Sequence, residues 1–222
     1  MNYPSTILLL FLSISGLSQT IENGPVQFNQ SLADTLKERA EIDQIAAYIP
    51  KGKYKDYSRE EWKAFKDSVF STNKVFLEKV LDTHGYPGYD LVGEDGERNF
   101  WVMVQHCDFD PAFQKRVLKQ LKTQYEKGNA DGRNYALLTD RVNLNSGEEQ
   151  VYGTQVTYVV ETGQAIPKTL VDSSNVNERR KSVGLIPLEE YLNRMTISHF
   201  EMNKEFMLQR GIEEPKLYEV GD

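Results

Sequence analysis

The chain has 222 residues, a length that suits one domain and can bury a core without disulfide staples. Its 26 Lys and Arg against 33 Asp and Glu leave a formal net charge of −7, which repels phosphate backbones and argues against nucleic-acid binding. A single cysteine, Cys107, excludes an internal disulfide framework.

Residues 7–12 are unbroken apolar sequence, extended as far as Ser18, and Gly16 and Ser18 stand at the −3 and −1 positions of a cut before Gln19. This pattern predicts a signal peptide over 1–18. The stretch is too short to span a bilayer, which takes ~20 apolar residues. Residues 1–6 hold no Lys or Arg, so only the α-amino group is positive there, and a buried N-terminal core segment is the alternative. The mature protein is expected in the periplasm or outside the cell, with no integral membrane segment after cleavage. In an oxidising compartment an exposed thiol is a hazard, so Cys107 is expected to be buried.

Residues 19–30 are polar and are expected to pack loosely. A helix follows over 31–48, with Ser31 as cap and Leu32, Leu36, Ile42, Ile45 and Ala46 as its apolar side. Pro50 and Gly52 end it, giving an N-terminal arm and helix over 19–57 ahead of a helical domain over 58–222. Ser58 and Glu61 have capping-box spacing and start a long helix with an apolar stripe of Trp62, Phe65, Val69, Phe76 and Val80. It stops at His84-Gly85-Tyr86-Pro87-Gly88, where the histidine complements the helix dipole. Residues 100–107 read as a short buried helix or as a strand, because the apolar run has no clear period.

Asp110-Pro111 marks a cap and first-turn proline for a helix reaching Gly128, on which Lys115, Arg116, Lys119 and Lys122 form a solvated face. Another helix covers 134–143. Residues 150–160 alternate and are rich in β-branched and aromatic side chains, which predicts a strand, folded back on Ala165 and Ile166 as a hairpin. A short helix is expected over 175–181. Pro187 then opens a long C-terminal helix with Leu188, Leu192, Met195, His199, Met202 and Phe206 on one face. The expected fold is mainly α, a helical single domain with a small β-hairpin.

Several polar groups recur in a distributed pattern between residues 85 and 192. They are Val92-Gly93, Gln105-His106 with Asp108, Leu138 with Asp140-Arg141-Val142, and Gln150 with Tyr152-Gly153-Thr154-Gln155. Arg179-Arg180 with Val183-Gly184-Leu185 and Pro187-Leu188 complete the pattern. In these residues the chain resembles an uncharacterised family of bacterial proteins classed as a domain of unknown function. The resemblance implies a shared site and names no chemistry for it.

Three polar knots interrupt apolar sequence between residues 101 and 155, and polar groups beside core residues are costly unless hydrogen-bonded or functionally required. His106 can accept and return a proton near neutral pH, with Asp108 or Asp140 as the carboxylate that orients it. Its plainer reading is a packed histidine at a helix end. Arg141 can grip an anionic group, or pair structurally with its surroundings. On a strand, Gln150, Tyr152 and Thr154 would share one face and Gln155 the other, a donor and acceptor set suited to a polar ligand, or to satisfying a sheet edge. Arg179 and Arg180 could bind phosphate or carboxylate, or form a solvated helix face. Gln105, His106, Asp140, Arg141, Tyr152 and Gln155 are expected to converge in one cavity.

His199, on an apolar stripe, reads as a core histidine. Cys107 beside His106 is a weak nucleophile signal, since adjacent helical residues point about 100° apart. Three separated histidines and one cysteine give no zinc spacing, and no calcium loop, phosphate loop or dinucleotide fingerprint is present, so no metal or cofactor is expected. Two functions follow from this reading. One is an exported module binding a small polar or anionic ligand, or an envelope partner. The other is a hydrolase-like or transferase-like envelope enzyme with His106 as general acid/base.

Overall fold

A computed structural model describes residues 26–220; the segment read as a signal peptide lies outside the described residues. Helix α1 (Gln30–Ala47) is capped by Asn29, whose side chain accepts the Leu32 N–H at 3.0 Å. Ser31, the predicted cap, sits inside the first turn. Asn29 wins the position because its own N–H is fixed on the Leu91 carbonyl at 2.8 Å. Asn29 is thus tied to α3, while residues 26–28 are exposed and residues 19–25 of the segment expected to pack loosely lie outside the described residues.

A short 3-10 turn (Gly52–Tyr54) precedes α2 (Arg59–His84). The α2 capping box forms as predicted, with Glu61 N–H on Ser58 Oγ at 3.1 Å and Ser58 N–H on Glu61 Oε2 at 2.8 Å. Helix α3 (Tyr89–Val104) begins eleven residues before the predicted Phe100. Gly93 interrupts it with a φ of +74°, a left-handed conformation that an L side chain resists, and this break in helical period hid the first half. Over 100–104 the helical alternative is the correct one, and Gln105 to Cys107 form the turn that leaves it. Helix α4 (Pro111–Glu126) starts as predicted, with the Asp110 carboxylate accepting the Phe113 N–H at 3.0 Å. Helix α5 (Gly132–Asn145) starts from an Asp131 cap, earlier than predicted.

These five helices enclose the main core, which includes Leu36, Leu77, Phe100, Met103, Phe113 and Leu138, each no more than 2 % exposed. Helix α1 supplies Leu36 and Ala40 to it and packs on α2 and α3. Cys107 is buried here, as expected.

The rest of the chain builds a smaller layer. Strands β1 (Val156–Tyr158) and β2 (Ala165–Pro167) pair antiparallel with Thr157 opposite Ile166. Helices α6 (Val176–Ser182), α7 (Leu188–Met202) and α8 (Lys204–Gln209) follow. The predicted long C-terminal helix is thus two, divided at Asn203, whose side chain donates to the His199 carbonyl at 2.8 Å and competes with the helical ladder. Met202 and Phe206, expected on the buried face, are exposed. His199 is half-buried against Tyr158, ring centroids 3.8 Å apart. The result is a mainly α single domain with a two-stranded hairpin, and none of its described helices is long and apolar enough to cross a membrane.

One core group has a consequence for stability. Glu97, on α3, is buried, accepting the Tyr86 hydroxyl at 2.5 Å and the Asn134 side-chain amide at 3.0 Å. Burial raises its pKa from 4.5 to about 7. The folded state therefore keeps this proton in a window where the unfolded chain releases it. Its contribution is fullest below about pH 4.5 and falls by roughly 3 kcal/mol as pH rises through 7. Glu97→Gln, which mimics the neutral acid, should gain on wild type by about 2–3 kcal/mol between pH 4.5 and pH 8. Urea denaturation at the two pH values checks this; a difference that does not change with pH contradicts it.

Candidate functional site

The predicted site residues fall into three separate polar clusters. The first is built around Asp140 on α5, which is fully buried. Its carboxylate accepts the N–H groups of Val151 (2.7 Å), Tyr152 (3.0 Å) and Thr154 (2.8 Å). The carbonyls of the same three residues are taken by Arg179 Nε (2.8 Å), Arg180 Nη1 (2.6 Å) and the Tyr191 hydroxyl (2.7 Å). Gln150 closes the set, its amide donating to the carbonyls of Gln155 and Lys168 and accepting the Gln155 N–H.

Residues 150–155 are consequently a loop in which the peptide groups of Val151, Tyr152 and Thr154 are paired with side chains, while Gln150 pairs through its backbone with Thr169 and Val171. Among the described residues no strand precedes Val156, and Gln150 makes only an isolated bridge with Leu170, which corrects the prediction of a strand from residue 150. Gly153 turns the loop with a φ of +69°, and a Cβ there would lie 3.0 Å from Leu188 Cδ1. The loop joins the main core to the hairpin layer, with Tyr152 packed edge-on against Tyr135, itself stacked on Tyr125. Burial pushes the Tyr152 phenol up to about 12 and pulls the Arg180 guanidinium below its usual value. Arg179 and Arg180 bind backbone carbonyls and form no solvated face.

The second cluster ties the end of α3 to α4 and α5. Arg141 meets Asp108 at 2.5 Å, and Asp108 also accepts from Asn145 (3.0 Å) and the buried Gln114 (3.1 Å). Gln114 in turn donates to the Val104 carbonyl at 3.1 Å. Gln105 lies half-buried in the same turn. Arg141 and Asp108 are 25 % and 50 % exposed, a surface pairing of modest energetic weight.

The third cluster holds His106. Its Nδ1 lies 2.6 Å from Asp43 Oδ2, and Asp43 is fully buried on α1. The other carboxylate oxygen accepts the Asn73 amide at 3.2 Å, and Asn73 accepts from Arg39 at 3.3 Å. Phe70 of α2 lies against the imidazole, ring centroids 5.1 Å apart. A carboxylate only accepts, so Nδ1 carries a proton in this contact, and whenever the ring is neutral its lone pair is at Nε2. Among the described residues nothing hydrogen-bonds Nε2, and the side chain is 20 % exposed. The orienting carboxylate is thus Asp43, in place of the predicted Asp108 or Asp140, which are engaged elsewhere. Cys107 does not join this group: its thiol is buried against the Met103 carbonyl and burial pushes it up to about 12.

A signal for Asp43 was present in the sequence. With Leu36, Ala40 and Ala46 it recurs at helical spacing, and these four are the buried residues of α1. Ile42 and Ile45, taken as core, are 49 % and 43 % exposed. A carboxylate on the core stripe of a helix calls for a buried partner, and His106 with Asn73 supplies it.

Residues 31–201 match the model of a family of unknown function, DUF6624. The match takes in α1 and α2, which lie outside the motif pattern of residues 85–192, and so includes Asp43 and Asn73. No curated protein and no solved structure matches the chain.

Proposed function

The chain belongs to the family of unknown function DUF6624, and from that premise we propose that it is an exported hydrolase-like or transferase-like enzyme in which His106 is the general acid/base. The observation that carries the reading is the buried Asp43 on Nδ1, which leaves Nε2 as the proton-transferring atom. Asp43 acts as a positioning residue, fixing the tautomer and stabilising the imidazolium that forms. The alternative, a ligand-binding module built on the 150–155 loop, has less support, because the loop's backbone is taken up by Asp140, Arg179, Arg180 and Tyr191 and the Gln150 side chain is spent within the loop and on Lys168.

The test is a panel of activated carboxylic and phosphoric esters offered to the purified protein between pH 6 and 8. Turnover that disappears in His106→Asn supports the reading, and turnover that persists unchanged removes it. The export half of the proposal predicts that protein recovered from the periplasm or medium begins at Gln19. N-terminal sequencing decides this, and an intact residue 1–18 segment in that fraction contradicts it.

A further inference from the structure

A groove of about 410 Å³ runs between α1 and α2 alongside the His106 network, a size that suits a small ligand. Arg39 and Asn73 line it, with the hydroxyl-bearing Ser68 and Thr72 on the α2 side. We propose that this groove binds the oxyanion of a small substrate, a carboxylate or phosphate gripped by Arg39 one helical turn from Asp43 and His106. The catalytic consequence rests on the proposed role of His106; the anion site itself does not.

The state of Arg39 is the main argument. Of the half-buried arginines among the described residues, Arg141 and Arg179 have carboxylate partners and Arg39 has none. Glu38 lines the same groove without pairing with it, and among the described residues the nearest carboxylate in the Arg39 network, Asp43, is reached only through Asn73. The guanidinium carbon sits 4.3 Å from the centre of the Phe76 ring, a cation–π contact that helps hold the side chain in place. Its N–H edge is spent only once, on Asn73 at 3.3 Å. An arginine held in place with free edge donors is suited to bidentate recognition of a carboxylate or phosphate.

Position relative to the base follows from helix geometry. Arg39 and Asp43 are four residues apart on α1, about 6 Å along the axis. On the facing helix Asn73 bridges Arg39 and Asp43, and Phe70, three residues before it, touches His106. The apolar Ile42 and Val69 line the groove. Asp43, Phe70 and His106 do not line the groove, so the anion site stands beside the His106 network and is joined to it through Asn73.

The experiment is a titration of ¹⁵N-labelled protein with inorganic phosphate and, separately, with sodium acetate, each at constant ionic strength. Saturable shifts are expected at Ser68, Thr72, Asn73 and the Arg39 side-chain N–H for at least one of the two anions. Arg39→Gln should weaken that binding by about tenfold or more, and Arg39→Lys, which keeps charge but loses the fork, should fall between. His106→Asn should bind the anion as wild type does, which separates this site from the acid/base role. Shifts that do not saturate, that lie elsewhere, or that survive in both folded Arg39 variants overturn the proposal while leaving the His106 reading to its own test.

Discussion

Asp140→Asn is expected to be the most destabilising single substitution in the clusters described, costing about 3–5 kcal/mol. The carboxylate accepts three peptide N–H groups inside the protein. Asparagine keeps one acceptor oxygen but turns an NH₂ group toward donors, so at least one N–H is left buried and facing another donor. Hydrogen bonds to a charged group are worth about 1.5–3 kcal/mol each, and they are not additive in a shared cluster. The damage extends further than Asp140, because Arg179, Arg180 and Tyr191 would then hold the carbonyls of a loop whose N–H groups have lost their shared acceptor. Chemical denaturation gives the cost. Asp108→Asn, at the half-exposed pair with Arg141, is the matched control and should lose no more than about 1 kcal/mol. A loss below that level for Asp140→Asn would show that the joint is held by packing alone.

His106→Asn is expected to lower turnover by about 10²–10⁴-fold while changing stability by less than about 1 kcal/mol. The amide nitrogen of asparagine stands close to the place of imidazole Nδ1 and can still donate to Asp43, so the buried carboxylate keeps a partner. What the substitution removes is Nε2, the atom assigned to proton transfer. Paired melts and rates on the same preparation make the test. A large loss of stability with unchanged turnover would make His106 a structural partner of Asp43 and nothing more.

Local rules foretold much of the fold. The Ser58 and Glu61 box, the Asp110-Pro111 start of α4 and the stop after His84 are each set by a few neighbouring residues, and each was legible. Gly93 concealed half of α3 because a left-handed residue inside a helix breaks the periodicity from which helices are read. The 150–155 loop resembled a strand because its alternation is real. Its peptide groups, however, pair with Asp140, Arg179, Arg180 and Tyr191, partners distant in sequence that no strand pattern can disclose. The same limit separated His106 from its carboxylate. Asp108 and Asp140 were near in sequence, whereas Asp43 arrives through the packing of α1 on α3.

The proposed role of His106 turns on one proton. Long-range ¹H–¹⁵N correlation of the imidazole nitrogens, recorded where His106 is neutral, reports which ring nitrogen carries the hydrogen. Asp43 at 2.6 Å from Nδ1 predicts the Nδ1–H tautomer, with Nε2 unprotonated, and a weakened preference in Asp43→Ala. A neutral ring protonated at Nε2 in the wild-type protein would contradict the dyad and with it the assignment of His106 as the base.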